Sequence, residues 1–461
     1  MQKKSTPNPT ATLVKIDEEQ RIKISKLLEE IRPNWSYKTL AMSLGVSPIT
    51  INNWKSGSTN IKLSNFAFLC KVIGLKSEDA VEIIGLEQRY PGPHTSQGIT
   101  WRETPLINDS QRFIEDPDEL QSGVRWFIQI LENRESIKDI VKHEQPKNIK
   151  KNIQMALFSK IIQIIDVELN TGLQDELLRL YSAYGLKECY VAGMDIAGDT
   201  DYLDSILQTE VVAWLAVNKT IPKDINPCKV GITGGSTIAR FIDLLPYFQN
   251  HLREWYSLLS ISPSKQSVSP ISANSLVARA TYKQQDCHGF AMPFIHDCSR
   301  EESLLLKEIL IGKIKAADCI YLSVGENPYL NIDSEVERSR VRFGVSEFIN
   351  SNAGKLSPED MEKSVGDILL KPVDKNGNRL GNVDSQDRTV TSISLDVLKN
   401  IAAFETKVWI LASKLEKAEI VRAAMVGGYS NSLVTTAPIA RRLIQIERRK
   451  GLCKDFRSDK G

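Results

Sequence analysis

The chain has 461 residues, of which 41% are hydrophobic and 25% charged, and its 59 basic and 57 acidic residues leave a formal charge of +2. This composition indicates two to four folded domains and excludes a wholly disordered chain. The near-neutral charge excludes a polyanion-binding surface over the whole molecule, so basic character has to be local. No apolar run has the length of a membrane span and the first residues lack an apolar stretch, so we expect neither a membrane anchor nor a secretory leader.

The seven cysteines and five histidines show no metal-ligand spacing. No Cys-x-x-Cys pair occurs, and the number of cysteines is odd. We therefore expect a cytoplasmic protein with no metal site, no cofactor and no disulfide framework.

The distribution of apolar, polar and charged residues along the chain predicts five segments. These are a flexible arm at 1–20, a small helical domain at 21–88, a polar linker and helical connector at 89–172, an α/β domain at 173–447 and a basic tail at 448–461. Tyr90-Pro91-Gly92-Pro93 interrupts the helical pattern and opens the linker, which we expect to extend to about residue 120. In the connector, two sets of apolar residues have helical spacing: Val124, Phe127, Ile128 and Leu131, then Ile149, Ile153, Leu157, Ile161 and Ile164.

Residues 37–57 have the pattern of two short helices that cross at a tight turn. Ala41 is small enough for the crossing, and Gly45 tolerates the positive φ of the turn. Ile51 and Trp54 would anchor the second helix in the core. Ser47 is suited to capping that helix and Pro48 to its first turn.

The exposed side of this second helix has the chemistry of a DNA-reading surface. Asparagine can bond to adenine edges in a major groove, and lysine can contact phosphate or guanine. Residues 36–71 also contain four lysines and no acidic residue, which favours contact with phosphates. The predicted contacts with double-stranded DNA are Ser47, Pro48, Ile49, Asn52, Asn53 and Lys55.

This stretch resembles the lambda-repressor-like (Xre-type) helix-turn-helix, over roughly residues 22–86. The resemblance implies an all-α DNA-binding domain. The alternative is a small helical bundle used for protein contacts, in which Asn52 and Asn53 are merely solvated.

After residue 173, short apolar runs alternate with helical stretches. The runs are 188–191, 229–233, 256–261, 318–324, 408–412 and 432–435. This rhythm predicts a parallel α/β sheet. The Asn376-Gly377 pair between two short extended pieces, within 373–379, predicts a hairpin.

One of these strands leads into a glycine-rich turn, Gly234-Gly235-Ser236-Thr237, followed by a helix. Free N–H groups at a helix N-terminus favour an anion, and glycines let the backbone approach a phosphate closely. The turn matches neither a Walker loop nor the dinucleotide fingerprint. It therefore predicts a phosphate site, with an ordinary strand–helix turn as the alternative.

The ordered series around this turn resembles the sugar-binding domain of SorC/DeoR-type bacterial transcription regulators. Members of the series are Leu180–Cys189, Ser272–Val277, Ala317–Gly325, Ser364–Leu369, Glu416–Ala424 and Leu433–Thr436. The resemblance implies a Rossmann-like fold related to ribose-phosphate isomerase and a phosphorylated sugar as effector. By the same resemblance, Gly234, Gly235, Ser236 and Thr237 would hold one phosphate, while Lys265 and Lys417 would add effector contacts.

The chain departs from this family at two places. Ser413-Lys414 replaces the usual glycine pair, and Thr436-Ala437 replaces an acidic pair. We expect a homodimeric or homotetrameric regulator, not an enzyme, in which Asp367 helps to build the domain. Two alternatives stay open: a DNA-binding regulator that senses no effector, and a sugar-phosphate isomerase or deaminase.

Overall fold

The structure is a computed structural model, and its two compact units are Met1–Asp166 and Val167–Gly461. It describes residues 22, 25, 26, 28, 29, 36, 41, 47–56, 94–96, 98–103, 122–124, 126, 127, 146–158, 162–193, 202–222, 224–245, 253–261, 270–284, 287–293, 301–326, 357–381 and 390–458. Among these residues no helix is long and apolar enough to cross a membrane. The same residues hold no group of three or more His, Cys, Asp or Glu side chains that would bind a metal ion.

In the first unit, helix α1 (Pro48–Ser56) is followed by strands β1 (His94–Ser96) and β2 (Ile99–Glu103), helix α2 (Pro146–Phe158) and strand β3 (Ile162–Val167). The three strands form one sheet in the order β1-β2-β3, in which β1 and β2 are antiparallel. Buried apolar side chains of this unit include Leu28, Ala41, Val124, Phe127 and Ile153.

Two predictions for residues 89–172 are wrong. Residues 94–103 were expected to be linker, but they form a hairpin with Gly98 at φ 76° in its turn and Trp101 buried. His94 stacks on the Trp101 indole with ring centroids 4.6 Å apart, Phe127 meets the same indole edge-on, and Ile99 is buried, so a few apolar groups give this polar stretch a core. The helical face that was extended to Ile164 also ends at Phe158, because Ile162–Val167 is a strand.

A seven-stranded parallel sheet forms the core of the second unit. Its strands are β4 (Glu188–Ala192), β5 (Cys228–Ile232), β6 (Arg253–Ser257), β8 (His288–Phe290), β9 (Cys319–Leu322), β14 (Lys407–Leu411) and β15 (Ser432–Thr436). Their spatial order is β4-β15-β14-β9-β5-β6-β8. Every predicted apolar run contributes to a strand, and the parallel sheet is confirmed. The run at 256–261 is divided between β6 and β7 (Leu259–Ile261).

Helices connect these strands and cover the sheet. They are α3 (Thr171–Tyr181), α4 (Tyr202–Leu215), α5 (Ser236–Leu244), α6 (Ala273–Lys283), α7 (Glu301–Lys315), α8 (Pro358–Lys363), α9 (Leu395–Ala403), α10 (Ala418–Val426) and α11 (Ala437–Ser458). Several begin at the polar caps that the sequence supplies. Asn170, Ser272 and Ser394 each accept an N–H from the first turn of the helix that follows.

Two small antiparallel sheets lie beside the main one. Strands β10 (Val324–Glu326), β11 (Ser364–Ile368) and β12 (Lys371–Asp374) form the first, and β7 pairs with β13 (Val390–Ser392) in the second. The predicted hairpin at 373–379 is confirmed. The Gly377 N–H donates to the Asp374 carbonyl at 2.9 Å, and Gly377 has φ 80°.

Candidate functional site

Helix α1 has the local signals of a recognition helix. The Ser47 hydroxyl accepts the Thr50 N–H at 3.1 Å, and Pro48 occupies the first helical position. Ile51 and Trp54 are buried, as the spacing predicts, and they fix which side faces outwards. That outward side carries Ser47, Pro48, Ile49 and Asn52, which are exposed, and Asn53 and Lys55, which are half-buried.

Lys55 is less available to DNA than its charge suggests. Its ammonium lies 2.8 Å from a carboxylate oxygen of Glu29, and both side chains remain partly exposed. An exposed pair of this kind contributes only about 0–1 kcal/mol to stability, so phosphate can compete for the lysine. Ile49, at 69% exposure, is the apolar group best placed for a thymine methyl group.

In the second unit, the strand connectivity creates a crevice between β5 and β9. The chain leaves β5 towards β6 and β8 on one side, whereas it leaves β9 towards β14 and β15 on the other. Helices therefore diverge from two adjacent parallel strands, and their carboxyl ends open into a crevice. The glycine turn follows β5 and Ser323 follows β9, which places both at this opening.

Gly235 adopts a conformation that only glycine takes readily. Its φ is 120° and its ψ is 159°, and an added Cβ would lie 2.7 Å from the Ser323 hydroxyl oxygen. The Gly235 N–H donates to the carbonyl of Ile271. The backbone therefore turns sharply where α5 begins, and Gly235 has no side chain of its own to cover it.

Gly234 makes a second close contact, on the side of the turn that faces the start of α6. An added Cβ at Gly234 would lie 2.8 Å from the Ile271 carbonyl oxygen and 3.2 Å from the amide nitrogen of Ala273, where α6 starts. The first turn of α5 contains no acidic side chain, so the helix itself does not neutralise the positive end of its dipole. These features suit a phosphate group.

The loop after β14 is tied to the same turn through hydroxyl groups. The Ser413 Oγ lies 3.4 Å from the Thr237 Oγ1 and 2.9 Å from the Thr209 Oγ1, and Ser413 is buried. The serine that replaces a family glycine is therefore accommodated. It holds Thr237 in place, and it leaves Ser236 as the exposed hydroxyl of the turn.

Strands β10 and β11 and the turn before α10 contribute three charged side chains to one cluster. They are Glu326, Asp367 and Lys417. Register pairs Gly325 with Asp367, and an added Cβ at Gly325 would collide with the Asp367 carboxylate. Burial raises the pKa of Asp367 to about 6, although the Leu370 N–H and the nearby Lys417 ammonium act in the opposite direction. Oε2 of Glu326 is buried and has no hydrogen-bond partner among the described residues.

Lys417 stands among these carboxylates. Burial lowers the pKa of Lys417, while the carboxylates of Glu326 and Asp367 oppose that shift. Its own N–H donates to the Lys414 carbonyl, which closes the helical turn before α10. The lysine therefore belongs to a mixed-charge cluster, in which acceptors for hydroxyl groups lie next to a cation.

The structure brings the predicted residues Gly234, Gly235, Ser236 and Thr237 together at one end of the crevice and places Lys417 with the carboxylates. The sequence reasoning missed Ser323, Ser413 and Glu326 as site residues. It gave Asp367 a role in building the domain by resemblance to the family, and the structure places this buried carboxyl near Lys417. Lys265 lies outside the described residues.

Comparison with known families agrees with this arrangement. The model of a family described as "Putative sugar-binding domain" matches residues 170–445, and a helix-turn-helix model matches residues 24–80. No curated protein sequence matches the chain.

Solved structures of regulators are similar to the chain at low identity. The full-length sorbitol operon regulator SorC from Klebsiella pneumoniae is 16% identical, with 71% of this chain and 100% of that chain covered and a TM-score of 0.43. A DeoR family transcriptional regulator from Listeria monocytogenes is 20% identical, with 59% and 98% covered and a TM-score of 0.40. A transcriptional regulator from Streptococcus pneumoniae is 17% identical, with 60% and 97% covered and a TM-score of 0.43.

The sugar-binding model spans more than half of the chain, and a helix-turn-helix precedes it. The chain therefore belongs to the family described as a sugar-binding domain, and it carries a helix-turn-helix before that domain.

Proposed function

We propose that this regulator binds an operator through α1 and that a phosphorylated sugar in the crevice of the second unit controls its DNA affinity. The observation that carries the proposal is the glycine turn, whose Gly234 and Gly235 have no Cβ atoms at a helix N-terminus and which is located where the strand connectivity diverges. An anion fits that turn because backbone N–H groups and the helix dipole point to it. The protein would act in the cytoplasm as a homodimer or homotetramer.

The charged cluster supports a sugar as the rest of the ligand. Ser323 touches the glycine turn, and Glu326 follows three residues later, at no more than about 10 Å along the chain. This span is comparable to the length of a sugar phosphate. Carboxylates of Glu326 and Asp367 would accept hydroxyl groups, and Lys417 would offset their charge and hold a ligand oxygen.

The pocket is tested with the full chain by thermal denaturation in the presence of inorganic phosphate, neutral sugars, and pentose and hexose phosphates. A ligand at about 100 times its dissociation constant stabilises the fold by about 2.7 kcal/mol. We expect one sugar phosphate to give such a shift, and the neutral sugar and phosphate alone to give less. No shift with any sugar phosphate would favour the regulator that senses no effector, whereas turnover of one would favour the enzyme.

Two variants locate the ligand. Ser236→Ala removes an exposed hydroxyl from the turn, and Lys417→Met removes the cation from the carboxylate cluster. Each should weaken the binding of the sugar phosphate, since each removes a binding group at one end of the crevice. Lys219→Met, which lies in the π-helical turn Ala216–Thr220 and is exposed, is the matched control and should leave binding unchanged. Equal binding by all three variants would contradict the assigned site.

The DNA surface is tested with duplexes selected by the full chain from a random pool. Asn52→Ala combined with Asn53→Ala should weaken binding to the selected duplex by about 1–3 kcal/mol for each base that the asparagines no longer bond. Binding to the unselected pool should change little, because the interactions with phosphate remain. Unchanged affinity for the selected duplex would exclude α1 as the recognition helix.

A further inference from the structure

A row of three cysteines and one arginine lies at the amino ends of four neighbouring strands, opposite to the crevice. Register pairs Cys228 of β5 with Arg253 of β6. Cys319 of β9 pairs with Val230, two residues after Cys228. Cys287 directly precedes β8 and so continues the row beyond Arg253. Because paired residues and alternate residues share a face, all four side chains lie on the same side of the sheet.

Arg253 is a buried cation that the described hydrogen bonds do not satisfy. It is 3% exposed, and its Nε and Nη1 atoms have no hydrogen-bond partner among the described residues. A guanidinium keeps its proton in proteins, so it cannot become neutral when it is buried. The described groups that act most on its charge are Cys228, Cys287, Cys319 and Tyr321. The counter-charge that these described neighbours can supply is a thiolate.

Cys228 is the thiol best placed to supply this charge. A hydrogen bond with Cys319 and the charge of Arg253 lower the pKa of Cys228, whereas burial and Asp318 act in the opposite direction. The same hydrogen bond and burial raise the pKa of Cys319, which therefore stays protonated and donates to its neighbour. The Asp318 carboxylate is engaged by the Lys229 N–H at 2.7 Å.

We propose that Cys228 and Arg253 form a buried thiolate–guanidinium pair, which makes Cys228 a site of oxidation by hydroperoxides. The thiolate sulfur attacks one peroxide oxygen, the O–O bond breaks and an S–O bond forms. The second oxygen leaves as hydroxide or alkoxide and takes up a proton to give water or an alcohol. Sulfur is oxidised to a sulfenic acid by two electrons, and the hydroperoxide is reduced by the same two.

The position of the row allows a small oxidant to reach it. Pro227 and His288 are exposed, and they are the chain neighbours of Cys228 and Cys287. The row therefore lies at the end of the sheet where the chain reaches the surface. A hydroperoxide of the size of a few waters needs only a local opening there.

The ion pair is tested through the ultraviolet absorbance of the thiolate, a measurement that does not require a reagent to reach the buried sulfur. The folded full chain and its Cys228→Ser variant are titrated between about pH 5 and 9. We expect the difference spectrum to show thiolate well below the ordinary range of a cysteine. Cys189→Ser is the control, since Cys189 is equally buried but burial alone raises its pKa, and its difference spectrum should show none. A Cys228 signal that matches that of Cys189 would overturn the proposal and assign a bound small anion to Arg253.

Two substitutions of Arg253 distinguish the effect of its charge on Cys228 from the effect of its packing. Arg253→Lys keeps a cation beside Cys228 and should keep the thiolate signal at neutral pH, whereas Arg253→Met should lose it. Retention of the signal in Arg253→Met would overturn the pairing. If either variant does not fold, the wild-type protein still decides by peptide mapping. After treatment with hydrogen peroxide and a sulfenic-acid trap, Cys228 should be labelled at least about ten-fold faster than Cys189. Equal labelling of the two cysteines would refute the proposed site.

Discussion

The recognition helix and the crevice differ in how their functional groups are held. On α1, the outward groups are exposed or half-buried, and the two anchors that orient them are three residues apart in the sequence. In the crevice, the turn after β5 is shaped by Ser323, Ile271 and Ser413, which are separated from it by many residues. A helix face can therefore be changed without disturbing the fold. The glycine turn cannot, because its backbone conformation and its close contacts with Ser323 and Ile271 also pack the domain.

The largest effect should come from a buried ion pair under the crevice. Arg240 of α5 pairs with Glu210 of α4; its Nη2 lies 2.7 Å from Oε1, and both side chains are almost fully buried. Glu210→Gln removes the buried carboxylate that faces this cation and should lower the free energy of unfolding by about 3–5 kcal/mol in urea denaturation.

Glu188→Gln is the matched control, because Glu188 pairs with Lys407 at a partly exposed site. Its cost should stay below about 1 kcal/mol. If the two substitutions lowered the free energy of unfolding equally, the packing of α4 against α5 would not depend on the buried pair.

A second effect depends on pH and on Asp367. The pKa of about 6 in the folded state lies above the ordinary value of 3.8, so folding favours the protonated carboxyl. This contribution is complete below about pH 4 and is lost as pH rises through about 6. The wild type should therefore lose about 2–3 kcal/mol relative to Asp367→Asn between about pH 4 and 7. Denaturant titrations at several pH values measure it, and parallel curves for the two proteins would contradict the buried, protonated carboxyl.

The glycine turn should show the next largest effect. Gly235→Ala combines an unfavourable φ with a clash against Ser323 and should cost about 1–3 kcal/mol and weaken the binding of a sugar phosphate. Gly185→Ala is matched to it, since Gly185 has φ 93° but no atom within 4 Å of an added Cβ. That control should cost less and leave binding intact. Equal losses of binding would show that the turn holds no ligand.

The smallest effect on stability is expected on α1. Ile49→Ala removes a side chain that is 69% exposed, so the free energy of unfolding should change by no more than about 0.5 kcal/mol. Ile51→Ala, in the same helix but buried, should cost about 2–5 kcal/mol. Thermal denaturation of the two variants measures this contrast. A large loss of stability in Ile49→Ala would mean that this face is packed rather than free to meet DNA.

These contrasts also explain what the sequence predicts and what it does not. The cap at Ser47, the buried Ile51 and Trp54, and the strands predicted for the parallel sheet follow from local patterns of polarity and turn residues. The hairpin at 94–103 does not, because its few apolar residues lie in a polar stretch and one of their partners, Phe127, is distant in the sequence. The partners of Thr237 and Lys417 were also missed, since Ser413, Glu326 and Asp367 meet them only through the pairing of distant strands.

The coupling between effector and DNA is the central claim, and one measurement tests it most directly. The affinity of the full chain for a duplex selected from a random pool is measured with and without the sugar phosphate that stabilises the fold most. We expect the sugar phosphate to change the DNA affinity about 5–150-fold, equivalent to about 1–3 kcal/mol of coupling, and Lys417→Met to abolish the change. An affinity that stays the same at saturating sugar phosphate would contradict the account.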